Sequence, residues 1–319
     1  MITAVALLTF AVLLAVGAPR IIGAGWSARA PRLAIATWQA TSAGVLVSVL
    51  LAGLTLLVPA GAISEGLAAY LDACAATIAA VYDSPGQLSA VLAGVLLSGG
   101  MSLRLTWVAA RSGLRNRRER HGLRAAILTG ARRESSLGAV VLDSDHAAAF
   151  CLPGRARTVV LTTAALQTLS AGELAGVLAH EEAHLRGRHH LAVGAARILS
   201  RAFPGVPLFT RGVAEIERLV EMLADDAAAG QVNRVEVASA LVTLAGMRAP
   251  AATLAAAQGA GVLRVTRLLR PADPIRPLHR LAAAAAAVLV VTGPVALAAW
   301  PLISAVASGL CVLPGADWT

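Results

Sequence analysis

The chain contains no lysine; all 27 of its basic residues are arginine. That absence excludes every lysine-dependent motif, including the Ser-x-x-Lys and Lys-Thr-Gly pair of covalent β-lactam recognition. Aromatic residues make up only 3% of the sequence, so the formal charge of +9 is weak support for nucleic-acid binding. No surface is available on which bases could stack, and no direct nucleic-acid partner is expected. Charged residues are also scarce, at 14% against 57% hydrophobic, and the mean hydropathy is +0.71. Ordinary soluble domains lie well below that value.

The hydrophobic excess is concentrated in four nearly charge-free stretches, about 2–18, 35–60, 86–109 and 281–303. Each approaches or exceeds the roughly 20 residues that cross a hydrocarbon core. The first has no basic residue before its apolar run, which favours a spanning segment over a cleaved signal peptide. Every arginine lies in Arg20–Arg32 or Arg104–Arg280, whereas 33–103 and 281–319 carry only Glu65, Asp72, Asp83 and Asp317. By the positive-inside rule, 18–34 and 110–280 are cytoplasmic and both termini lie outside. The expected organisation is an N-terminal membrane region with three spans (1–110), a cytoplasmic domain (111–280), and a fourth span with a short outer tail (281–319). Arg104 is expected to snorkel toward the headgroups, and Pro294 and Pro301 to kink the last span. Cys151 is expected to be a reduced core thiol. Cys74 and Cys311 both fall on the outer side, where a disulfide and two free thiols are both open.

Within the cytoplasmic segment, residues 180–184 read His-Glu-Glu-Ala-His. On a helix two histidines at i and i+4 share a face, so both imidazoles can reach one metal ion while Glu181 reaches a water beside it. Ser170-Ala-Gly-Glu173 has the form of a capping box, and Leu174, Val177, Leu178 and Leu185 follow at helical spacing. The motif therefore sits on a helix. Downstream, Glu221-Met-Leu-Ala-Asp225 offers a third ligand, Glu221, with Asp225 one turn later on the same face. The bland alternative is a solvated acidic face pairing with Arg218. Two histidines and a carboxylate with one open position make a catalytic Zn²⁺ site, one ion per chain.

Around it, 139–142, 149–152 and 158–162 read as short strands. Helices are expected over 163–169, 171–189, 191–203, 211–229 and 233–247. Strands followed by helices make an α+β domain, so the fold class is an α-helical membrane protein with a cytoplasmic α+β metallopeptidase domain. The strand of Ala149, Phe150, Cys151 and Leu152 is the candidate edge for an extended peptide, with an ordinary core strand as the alternative.

The pairing of His180-Glu-Glu-Ala-His184 with Glu221-Met-Leu-Ala-Asp225 resembles the gluzincin pattern of HExxH followed by ExxxD. With the strand pair ahead of the HExxH helix and three spans before the domain, the chain is similar to BlaR/MecR-type membrane metallopeptidases. It departs from those antibiotic sensors in lacking the extracellular penicillin-binding domain after the last span. The resemblance implies His180, His184 and Glu221 as zinc ligands, Glu181 as the catalytic base, and Asp225 as the hydrogen-bond acceptor that orients a ligating histidine, His180 first. His189, His190, His146 and an arginine remain open as oxyanion stabilisers. Implied partners are a protein or peptide substrate such as a cytoplasmic transcriptional repressor, the lipid bilayer, and a second copy in a homodimer. Two other functions stay open: HtpX-like quality-control proteolysis and a non-catalytic zinc-binding scaffold.

Overall fold

A computed structural model describes residues 1–23, 25–57, 85–154, 158–247, 254–270 and 274–307. Cys74 and Cys311 lie outside them. The chain opens with α1 (Ile2–Ile22) and α2 (Pro31–Leu57). Then come α3 (Pro85–Gly94), a π-helical stretch (Val95–Gly100) and α4 (Met101–Gly130). Four strands follow: β1 (Ala131–Glu134), β2 (Ala139–Leu142), β3 (Ala149–Leu152) and β4 (Thr158–Thr162). The helices after the sheet are α5 (Thr163–Thr168), α6 (Ala171–Arg186), α7 (His189–Ala202), α8 (Pro207–Ala229), α9 (Arg234–Met247), α10 (Leu254–Leu269) and α11 (Pro277–Ala307).

Among the described residues, four helical stretches are long and apolar enough to cross a membrane: Ile2–Ile22, Pro31–Leu57, Leu88–Ile127 and Pro277–Trp300. The third passes through the π-helical stretch and runs on as α4 to the sheet, so its apolar part and the first arginine-rich turns form one rod. Pro294 and Pro301 both lie inside α11, which continues across them instead of dividing. Helix α2 is central, packing on α1 and α11. Its Gly44 is needed there: a Cβ would stand 2.5 Å from the Val290 carbonyl oxygen, so only glycine permits this approach. Arg104 does more than reach for headgroups, since its Nε donates to the Ala202 carbonyl at the end of α7.

The sheet order is β1-β2-β4-β3, with β2 and β4 parallel and the two outer pairs antiparallel. Strand β1, Ala-Arg-Arg-Glu, carries no hydrophobic alternation and gives no strand signal; pairing with β2 creates it. Ala149, Val159 and Leu161 turn toward α6, while Leu152 and Val160 turn toward Ile127 of α4. The helices expected over 171–189 and 191–203 are both present, but the break between them comes earlier, after Arg186. Arg188, at φ 49° and ψ 37°, turns the chain just after Gly187 and starts α7 at His189.

Helix α8 packs its apolar face against the N-terminal helices. Ile22, Trp38, Phe209, Ile216 and Leu219 share one core drawn from α1, α2 and α8. The α1–α2 connection is held there as well, with Arg218 donating to the buried Ser27 at 3.0 Å and to Glu215 at 2.7 Å. Arg218 thus makes neither of the contacts with Glu221 and Asp225 that a solvated acidic face would require.

Helix α6 starts at the expected capping box. Ser170 N–H donates to Glu173 at 2.9 Å, and Glu173 N–H donates to the Ser170 hydroxyl at 3.3 Å. Glu173 is buried and also accepts from Ser239 at 2.5 Å and Thr243 at 3.0 Å, which ties α6 to α9. Replacing Ser170 by Ala should cost about 1 kcal/mol. Denaturation of the full chain in detergent should show that loss with metal content unchanged.

Candidate metal centre

His180 and His184 occupy successive turns of α6, and Glu221 meets them from α8, which packs against it. The two Nε2 atoms are 3.2 Å apart. Glu221 places one carboxylate oxygen 3.6 Å from His180 Nε2 and the other 3.4 Å from His184 Nε2. Four ligands at 2.0–2.1 Å around a tetrahedral zinc ion stand about 3.3 Å from one another. The two imidazole nitrogens have that spacing, one oxygen of Glu221 completes a set whose atoms all lie within 4.8 Å of one another, and the donor chemistry of two imidazoles and a carboxylate suits zinc.

Asp225, one turn beyond Glu221, is only 1% exposed and brings Oδ1 to 3.1 Å from His180 Nδ1. This is an ion-pair contact more than a well-aligned hydrogen bond, because the buried Nδ1 has no partner of good geometry. His184 is oriented differently. Its Nδ1 faces Nδ1 of His189 at 3.1 Å, a contact made by the turn at Arg188. For His184 to offer an Nε2 lone pair, its Nδ1–H must donate and His189 must accept. Glu182 points away, exposed and 3.9 Å from Arg186.

One participant had no sequence signal. Helix α10, which was not expected at all, delivers Arg264 into the site. Arg264 Nε and Nη2 donate to the two oxygens of Asp225, each at 2.7 Å, and Nη1 lies 2.9 Å from Glu221 Oε2. Residues 254–269 are rich in alanine and glycine. The one available clue was Arg264 and Arg267 at i and i+3, matching the adjacent acids Asp225 and Asp226.

These charges set the protonation states. Burial works against a charged His180, but Asp225 and Glu221 outweigh it and raise the imidazole to about 9. Burial, reinforced by His180 and His189, pushes His184 down against the pull of Glu221. Burial likewise lowers His189. Glu221 and Asp225 both stay below the usual carboxylate range: burial opposes this, and hydrogen bonds and charge from His180 and Arg264 prevail. Strand β3 runs beside the same helix. Burial first, then the neighbouring Glu181 carboxylate, push the Cys151 thiol up to about 12, so Cys151 is a protonated thiol next to Glu181.

A metal-free site thus carries a proton on His180 that an arriving cation must displace. As pH falls below about 9, that proton competes more strongly, so metal affinity should weaken by up to about tenfold per pH unit toward neutrality and level off above. Calorimetry in buffers of different ionisation enthalpy should find about one proton released per ion near neutral pH. A flat affinity over that range would mean His180 is already neutral.

No curated protein and no solved structure matches the chain. A family model does: residues 114–203 match the model described as peptidase family M48. The match spans the sheet, the HExxH helix and α7, and stops short of Glu221. It carries no finer BlaR/MecR assignment. Together with the three donors brought within 4.8 Å of one another, it indicates a metallopeptidase, similar over this segment to peptidase family M48.

Proposed function

We propose that this chain is a multi-pass membrane, zinc-dependent endopeptidase of the BlaR/MecR type. Its domain 111–280 faces the cytoplasm and cleaves a cytoplasmic repressor-type protein, or the chain itself. The observation that carries this reading is the donor triangle of His180, His184 and Glu221, with Glu181 set between the two histidines and against strand β3. The confinement of arginine to alternate segments supports the cytoplasmic placement. Exposed Leu281, Leu289 and Trp300 on α11 support contact with lipid.

Zinc bound there would polarise the scissile carbonyl and acidify an attacking water. Glu181 takes the proton from that water and returns it to the leaving amine. Asp225 holds His180, and His189 holds His184, so that both Nε2 atoms converge. Substrate orientation falls to β3, an edge strand of the sheet and the one beside α6. Thr162 N–H donates to the Ala148 carbonyl, so with the β3–β4 register the backbone groups of Phe150 point into the sheet. Those of Ala149 and Cys151 then point outward, free to pair with an extended peptide. This division selects Ala149 and Cys151 for backbone pairing and leaves Phe150 and Leu152 to support the strand.

Two experiments test the reading. Protein N-termini from cells expressing the chain, compared with Glu181→Gln at matched levels, should include termini found only with the intact glutamate. In vitro, the substitution should lower kcat/KM by roughly 10²–10⁴ with metal still bound; unchanged turnover would remove Glu181 from the chemistry. Ala149→Pro should weaken peptide cleavage at least tenfold while sparing metal content, because it deletes an outward donor. Parallel loss of both would instead signal misfolding and argue against strand pairing.

A further inference from the structure

Helix α10 does more than cover the site. Its two arginines, one turn apart, grip two consecutive acids of α8 and, beyond them, the membrane region. Arg264 spends all three of its guanidinium nitrogens: two on Asp225 and one on Glu221 Oε2. Arg267 pairs with Asp226 at 2.6 and 2.8 Å, and its Nε donates to the Ala28 carbonyl at 3.0 Å, in the connection between α1 and α2. On the same helix, Leu268 is 1% exposed and packs in one cluster with Ala179, the residue preceding His180.

We infer that Arg264 is a positioning residue of the metal centre, and that α10 ties the assembly of that centre to the connection between the first two membrane helices. The argument rests on how the donors are divided and on the metal site under Proposed function. The guanidinium holds Glu221 Oε2, the oxygen 3.6 Å from His180 Nε2, and so fixes the carboxylate whose Oε1 lies 3.4 Å from His184 Nε2. Asp225 is gripped in plane by two parallel N–H donors, so the carboxylate that meets His180 Nδ1 cannot rotate. A lysine could supply the charge there but not the fork. All three guanidinium nitrogens of Arg264 are turned to Asp225 and Glu221, which marks its role as holding those carboxylates and not as acting on substrate. Because Arg267 on the next turn is bonded to both α8 and the Ala28 carbonyl, a shift of the α1–α2 connection would be transmitted to Arg264 through one rigid helical turn.

The test uses the full chain in detergent, loaded with zinc or cobalt. Zinc affinity is read by competition with a chelating dye, and ligand geometry by the visible spectrum of the cobalt form. Arg264→Gln should weaken zinc binding roughly 10–100-fold and alter the cobalt spectrum. Arg264→Lys should recover part of the affinity but not the spectrum, and Arg267→Gln should give a smaller loss in the same direction. If Arg264→Gln retains the parent affinity and spectrum, Arg264 is not a positioning residue. If it does not fold, Arg264→Lys decides: parent-like values in both readouts overturn the inference. Parent affinity in Arg267→Gln overturns the tie to the α1–α2 connection. A parent chain that takes up neither metal would overturn the metal reading itself, an outcome distinct from all of these.

Discussion

A carboxylate buried to 1% exposure is the constraint on which the rest of the centre depends. Asp225 sits between the guanidinium of Arg264 and the imidazole of His180, facing a cation or a donor on each side. Desolvating such an ion costs several kcal/mol, and only well-placed partners offset it. The bidentate arginine supplies most of that compensation and keeps Asp225 ionised. An ionised Asp225 in turn holds His180 in place. Losing the arginine would leave the charge without its main partner, a situation that costs about 3–5 kcal/mol in buried pairs. Stability of the α8–α10 contact and geometry of the metal site are thus one problem.

The centre also shares structure with the long apolar helices of the N-terminal region. Helix α8 has one face in a core with Trp38 and Ile22, while another presents Glu221 and Asp225 to α6. Helical periodicity allows both, because residues 216 and 219 turn one way while 221 and 225 turn another. The α1–α2 connection is stitched to the same region by Arg218 at Ser27 and Arg267 at Ala28. Displacing α1 and α2 would therefore disturb the helix that carries Glu221, the third candidate ligand.

The two histidines are held by different chemistry. His180 faces a carboxylate and is drawn toward the charged form; His184 faces another imidazole and is held neutral. Their orienting groups come from different elements, α8 and the start of α7. The left-handed Arg188 brings His189 back beneath His184 within one turn.

What the sequence determined by itself was everything encoded in local spacing. The i, i+4 histidines, the Ser170–Glu173 capping box, the three apolar strands and the four long apolar runs depend only on the period of a helix or strand, and on the length of a hydrocarbon core. Glu221 and Asp225 were legible because four residues on a helix is again a local interval. Tertiary structure decided the rest. Strand β1 exists because β2 offers it a ladder, not because Ala-Arg-Arg-Glu favours an extended form. Arg104 found the end of α7, and His189 found His184 through a turn that no residue type announced. Arg264 comes from a helix thirty-nine residues after the carboxylate it grips. A salt bridge at that separation leaves no mark in local pattern, because any of the chain's arginines has the same chemistry. Only the packing of α10 across α8 selects the one that arrives.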